Sequence, residues 1–544
     1  MLLRVLLPFT LVLAGFGAAA QQTVLPERVR AVADSITADS LARDVEYLAS
    51  DELQGRNTPS PGLDLAARYV VDRLQAARLR PLGDAGSYLQ HYEVRETRLD
   101  TAKSAVTIGE RTFAFGRDFA LRSLAQGIGG SLPLVYVGHG WTVPSKGIDP
   151  YAGLDVRGKL VVAHAPTAMP RDAGVSQIGR IAVGGDTVFT EAARRGAAGV
   201  VFLTFDGRTS LADLAEQNVT RLELEPAVPS AYAAPPITSL LLSRDAVESL
   251  LAGEKIEAAE LIRRGEAGDY PASFELTKRI AVELPVAAVA THRPANVVAL
   301  LEGSDPVLKH EYITVASHLD GAVGTRAVNG DHIYNSADDN ATGSAANLHI
   351  AERLAAVKPR RSVIFIWDSG EERGLWGTRR FVGSPPVPLE QIVAHVNIDM
   401  IGATRAPGSP DAGHETVTGP NEVLLIGPGV LSDRVDALLQ RVNRAYLDMR
   451  FNREYDRADR EFFYPRTDAG PFLERGILTI GYFTGIHPRY HQPSDEAKYL
   501  DPRKMEAVTR TVFAAIWALA ETDERPRIDK EIPATVPRYR QVHR

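Results

Sequence analysis

Four strand-like apolar runs in this chain are each followed by a histidine or an acidic residue, and that recurrence constrains the fold more than any other feature. Tyr312 to Ala316 is a β-branched run that delivers His318 and Asp320 from its C-terminal end. Val363 to Trp367 is the second, with Asp368, Glu371 and Glu372 directly after it. Gln391 to Ile398 ends in Asp399, and Ile477 to Phe483 runs into a loop carrying His487 and His491. Between the first two, Ala345 to Ala356 has apolar residues at helical spacing, so Asp338 and Asp339 fall in the loop entering a helix. Strands alternating with helices predict an α/β fold: a mixed, mostly parallel central sheet flanked by helices, with the strand ends converging on one edge.

Two histidines and several carboxylates on one sheet edge suit zinc or another borderline divalent metal, and the number of carboxylates suggests two ions. Taken singly, each residue has a plainer explanation. A His or Asp after a strand serves as a turn residue or a helix N-cap. Asp339 could cap the helix beginning near Thr342, and Glu371-Glu372 could be a solvated acidic pair. Capping does not explain why the pattern recurs after every run.

The order H-x-D, A-D-D-N-A-T-G, E-E, I-D-M and Y-H-Q-P-S-D, as it stands from His318 to Asp495, resembles the di-zinc aminopeptidases of peptidase family M28. The resemblance covers roughly 280–520 with specific motifs, and more loosely the N-terminal phrase Tyr47 to Arg56. It implies a zinc-exopeptidase (phosphorylase/hydrolase-like) fold with two Zn2+ ions per chain. His318 and Asp399 would bind one zinc, Glu372 and His491 the other, and Asp339 would bridge them. Glu371 would be the general base acting on a metal-bridged water, and Asp320 would orient His318. Relatives also carry a cis peptide after the bridging aspartate. Tyr464 stands where some family members place a tyrosine that hydrogen-bonds the scissile carbonyl; a buried core tyrosine is the alternative. Many relatives read S/T-D-H where this chain has Thr467-Asp468-Ala469. His332, in the loop before Asp338, is not a ligand position in the family pattern.

The remaining sequence sets the frame. At 544 residues the chain exceeds one typical domain. A formal net charge of -7 is mild for this size and gives no indication of nucleic acid. Residues 1–20 read as a signal peptide: Arg4, an apolar run from Val5, and Gly17-Ala18-Ala19-Ala20 before Gln21. That run is shorter than the ~20 residues a spanning helix needs, so no membrane role is expected beyond the signal. With no cysteine there is no disulfide framework and no lipid attachment through Cys, and an exported protein of this kind points to a bacterial periplasm or medium.

Residues 21–128 are read as the N-terminal part of the peptidase domain, with helices over Leu41 to Leu48 and Leu63 to Leu74. Residues 129–272 resemble a protease-associated (PA) domain, a smaller α/β insert with short strands at Leu132 to Val137, Leu160 to Ala163 and Gly199 to Leu203. It would cover the cleft or bind substrate, or act only as a spacer. Residues 273–522 form the main part of the peptidase domain, closing with an amphipathic helix over 502–521, and 523–544 are a charged tail expected to be extended or disordered.

The leading expectation is a periplasmic or secreted zinc-dependent aminopeptidase acting on peptide or protein N-termini. A carboxypeptidase or dipeptidase, a glutaminyl-cyclase-like acyltransferase using one zinc, and a non-catalytic receptor-like module on the same scaffold are the alternatives.

Overall fold

Tyr312–His318, Ser362–Asp368 and Ile392–Ile398 are buried almost along their whole length. Unbroken apolar, β-branched runs of this kind suit strands covered on both faces. In the computed structural model, which describes residues 25–171, 187–205, 210–228, 236–324, 327–405, 417–457 and 467–532, they form the middle of a nine-stranded sheet. Tyr312–His318 pairs in parallel with Ser362–Asp368 on one side and with Ile392–Ile398 on the other. Thr479–Phe483 adds in parallel beyond Ile392–Ile398. The chain therefore moves from the central strand to one flank and then crosses to the other. That reversal opens a crevice at the C-terminal ends of the strands.

The outer strands turn the other way. Ala295–Leu301 runs antiparallel to Ser362–Asp368, and Glu422–Ile426 antiparallel to Thr479–Phe483. The sheet is thus mixed, with four parallel strands at its centre. Helices Ala38–Leu48, Pro61–Ala76, Gly343–Val357, Asp433–Ala445 and Pro502–Glu521 contribute to the large apolar cluster on one face. Trp376–Gly383 and Ala469–Leu473 cover the other with Phe381, Val382 and Phe472. Pro502–Glu521 begins where the sequence dictates: the Asp501 carboxylate accepts from the amides of Arg503 and Lys504, and proline fills the first helical position.

The insert is wider than the 129–272 read from sequence. Its eight-stranded sheet begins at Ala105–Ile108 and ends with Phe274–Leu284. Ala105–Ile108 and Arg111–Ala114 form a hairpin with Ile108 opposite Arg111, leaving Gly109-Glu110 as a two-residue turn with Gly109 at φ +61°. Phe119–Ser123 joins the far edge of the same sheet through Ser239–Leu242. The segments leading into and out of the insert, Glu93–Leu99 and Val286–His292, pair with each other and with Thr220–Glu225 as a separate three-stranded sheet.

The described part of the tail, up to Ile532, has no helix or strand. Residues up to Ile532 lie against the body of the protein. Asp529 caps Asp433–Ala445 by accepting from the Asp433 amide at 2.9 Å and the Ser432 hydroxyl at 3.0 Å, and Arg525 pairs with Glu311 at 2.8 Å. Among the described residues no helix is long and apolar enough to cross a membrane. The expected signal peptide at 1–20 lies outside the described residues.

Candidate metal centre

His318 ends its strand with the imidazole buried, and its Nδ1 lies 3.0 Å from the Asp320 carbonyl oxygen. A carbonyl can only accept, so Nδ1 carries the proton and the Nε2 lone pair faces outward. Nε2 sits 3.1 Å from Asp339 Oδ1 and 3.5 Å from Asp399 Oδ1. On the other side, His491 Nε2 lies 3.1 Å from Asp339 Oδ2 and 3.1 Å from Glu372 Oε1. The two oxygens of Asp339 therefore address different imidazoles. His318–Asp339–Asp399 and Asp339–Glu372–His491 each bring their ligand atoms within 4.8 Å of one another, and they share one carboxylate.

These contacts are close without being hydrogen bonds. Glu372 Oε1 and Asp399 Oδ1 are buried and lack a hydrogen-bond partner, although an imidazole nitrogen is 3.1 and 3.5 Å away. Atoms that crowd together in this way and stay unsatisfied fit a cation between them. The residues present suit two zinc-type ions: each set offers one imidazole and one terminal carboxylate beside the shared one.

The surrounding chain holds the candidate ligands in place. The Asp495 carboxylate accepts from the amides of Asp338 at 3.0 Å and Asp339 at 3.1 Å. Asn340 donates to Ile398 O at 3.0 Å and accepts from the Gly343 and Met400 amides, which ties the Asp339 loop to the strand that delivers Asp399. The Asp339–Asn340 peptide is cis. Asp338 points away from the cluster: its Oδ1 accepts from the Gly402 amide at 2.7 Å, and its Oδ2 lies 3.2 Å from His487 Nε2. His487 is thereby placed behind the bridging loop and outside both ligand sets.

Asp320 acts differently from the expectation. Its carboxylate is 3.8 Å from His318 Nδ1, and the ring is held by its main-chain carbonyl instead. Because the carbonyl satisfies Nδ1, the carboxylate is released to accept from the Glu371 amide at 3.2 Å. Glu371 belongs to neither ligand set, although it directly precedes Glu372. Tyr464 lies outside the described residues.

The electrostatics follow from so many acids in one crevice. Burial lifts the Glu371 carboxyl well above its ordinary range, with His318 opposing and Glu372 adding to the rise. Glu372 is pushed up to about 7 by burial and by Asp339. Burial opposes a proton on His491, but Asp339 and Glu372 prevail and push it up to about 10. Asp339 is held low despite burial, because the two imidazoles beside it favour its charged form. A little farther back, burial and the neighbouring Asp468 hold the Asp368 carboxyl well up.

From the sequence Arg56 is read as a structural anchor, with no chemistry assigned. The structure buries it completely, with Nε on Leu319 O at 2.9 Å, Nη1 on Leu48 O and on Asn335 O at 3.0 Å, and Nη2 on Ser336 O at 2.9 Å. One guanidinium thus joins the loop after His318 to the loop before Asp338. Thr58 was missed altogether; its Oγ1 accepts from the Gly370 amide at 3.0 Å, one residue before Glu371. The Thr58 partner is a main-chain amide far away in sequence, so no local pattern marks that residue.

Residues 296–516 match the model of peptidase family M28. An aminopeptidase from Pseudomonas aeruginosa is 30% identical over 191 residues, 35% of this chain and 31% of its own length. The chain thus spans about a third of that relative. A probable zinc metalloprotease from Leptosphaeria maculans is 24% identical over 291 residues, 47% of this chain and 66% of its own length. Among solved structures, an aminopeptidase from Aneurinibacillus sp. strain AM-1 superposes with a TM-score of 0.53 at 17% identity, covering 94% of this chain and 100% of that one. A zinc aminopeptidase from Bacillus subtilis gives 0.51 at 16% identity, covering 91% and 99%. These similarities in structure concern the fold alone. The segment that matches the model of peptidase family M28, 296–516, carries all the ligand candidates together with Glu371.

Proposed function

We propose that this chain is an exported, zinc-dependent aminopeptidase that removes residues from the N-termini of peptides. The observation that carries the reading is the division of Asp339 between two imidazoles, Oδ1 toward His318 and Oδ2 toward His491, each at 3.1 Å. His318 and Asp399 would hold one ion, Glu372 and His491 the other, and Asp339 both. Bound there, two divalent cations supply Lewis acidity and a water of lowered pKa.

The chain's own residues do the rest. Glu371 takes a proton from the attacking water onto its carboxylate and hands it to the departing nitrogen. Asp320 holds the Glu371 main chain in place through the amide. The His318 tautomer, set by the Asp320 carbonyl, keeps Nε2 available as a ligand. Removal of N-terminal residues is supported by the relatives that carry the name aminopeptidase. A one-metal cyclase would need only one of the two ligand sets.

Aminoacyl-p-nitroanilides should be cleaved, and their N-acetylated counterparts should not. Activity should disappear with a chelator and return with zinc, and elemental analysis should count two metals per chain. Equal turnover of the blocked substrates would overturn the aminopeptidase reading, and a single metal would favour the cyclase. Export rests on residues 1–20, whose composition is that of a secretion signal. N-terminal sequencing of the mature protein should begin at Gln21; a mature chain that keeps Met1 removes the proposal of a cleaved signal.

A further inference from the structure

The insert meets the metal-bearing sheet at a narrow hinge, and one side chain of that hinge reaches the catalytic loop. The chain leaves through Tyr92, between Leu89–His91 on the main sheet and Glu93–Leu99 on the three-stranded sheet. It returns through Arg293-Pro294, between Val286–His292 and Ala295–Leu301. The two crossings are tied by the Tyr92 amide donating to Pro294 O at 3.1 Å.

The Tyr92 ring is buried, and its hydroxyl lies 2.9 Å from Ser369 O and 2.8 Å from Ser369 Oγ. The Ser369 hydroxyl proton is directed to Ala295 O at 3.1 Å, so the tyrosine supplies the proton shared with the Ser369 oxygens. Gly370 follows at φ +73°, and a Cβ there would come within 3.0 Å of the Tyr92 hydroxyl and of Trp376 Cβ. The loop is therefore seated directly on the tyrosine. Trp376, at the end of the same loop, packs with Tyr92 and Val94 and against Leu222 and Leu224 of the three-stranded sheet. Between Gly370 and Trp376 stand Glu371 and Glu372. Their other main-chain anchors are Thr58 at Gly370 and Asp320 at Glu371.

We infer that Tyr92 is a positioning residue for Glu371 and Glu372, so that the hinge of the insert forms part of the seat of the catalytic loop. The inference rests on the reading of Glu371 as the base and Glu372 as a ligand. Tyr92 touches no reacting atom and acts through Ser369 and Gly370. It lies outside 296–516, so the segment matching the family does not contain every support for its own loop.

The test is Tyr92→Phe in the full chain, which keeps the ring packing and removes only the hydroxyl. Turnover of an aminoacyl-p-nitroanilide should fall about tenfold in kcat with KM within about twofold. Zinc transfer to a chromogenic chelator should quicken about fivefold, because Glu372 rides on the same loop. Ser369→Ala should show part of the same effect, and the double variant should lose less than the product of the single losses. If kcat and zinc transfer both stay within about twofold of wild type, the inference is overturned, even where the thermal midpoint drops, since that pattern describes a residue that only supports the fold. The zinc-transfer measurement does not depend on Glu371. Should Glu371→Gln stay active while Tyr92→Phe still speeds zinc transfer, the base assignment fails and the seating of the loop stands.

Discussion

Replacing Glu371 with glutamine is expected to leave the metal content unchanged and to lower kcat by roughly three orders of magnitude. Glutamine has the same shape and can still accept hydrogen bonds, but it cannot take up a proton and pass it on. Glu371 belongs to neither ligand set, so the metals have no reason to leave. Its amide, which donates to Asp320 at 3.2 Å, is untouched by the change. Steady-state kinetics on an aminoacyl-p-nitroanilide, with elemental analysis of the same sample, decides the matter. Turnover within about tenfold of wild type would assign the proton transfer to another group.

Asp339→Ala is expected to leave close to no metal bound, whereas Glu372→Ala should retain about one ion per chain. The difference follows from position. Asp339 presents one oxygen to the His318 side and the other to the His491 side, each 3.1 Å from its imidazole, while Glu372 serves only the second set. Activity should be undetectable in the Asp339 variant. Fold loss can be separated from ligand loss by comparing its thermal midpoint with that of chelated wild type. The two should be similar, because the amides of residues 338 and 339 remain clamped by Asp495 whatever the side chain at 339. An Asp339→Ala protein that binds two metals would show that the carboxylate is not shared.

The sequence announces some of this architecture and conceals the rest, for physical reasons. Tyr312–His318, Ser362–Asp368 and Ile392–Ile398 stand out because strands covered on both faces must be apolar at nearly every position. The candidate ligands stand out because ionisable residues directly after such runs have few other uses in common. Glu422–Ile426 is followed by Gly427 rather than by a histidine or an acid, so nothing marked it, and its antiparallel pairing was not foreseen. The insert boundary was placed too late because Ala105–Ala114 is a short hairpin whose only marker is a two-residue Gly-Glu turn. Asp320 was singled out to orient His318, but sequence cannot tell a carboxylate contact from a main-chain one, and here the carbonyl holds the histidine. Thr58 and Tyr92 were beyond reach because each meets backbone groups that only folding brings near.

Asp495 and His491 stand on one loop, five residues from end to end. The first grips the amides of residues 338 and 339, and the second faces Oδ2 of Asp339 itself. The loop thus sets both where the shared carboxylate stands and one of the groups it must meet. Grafting this loop from a relative would transplant gauge and workpiece together, whereas exchanging His491 or Asp495 singly would throw the two out of alignment. The segment is best treated as one indivisible cassette in any attempt to re-engineer the centre.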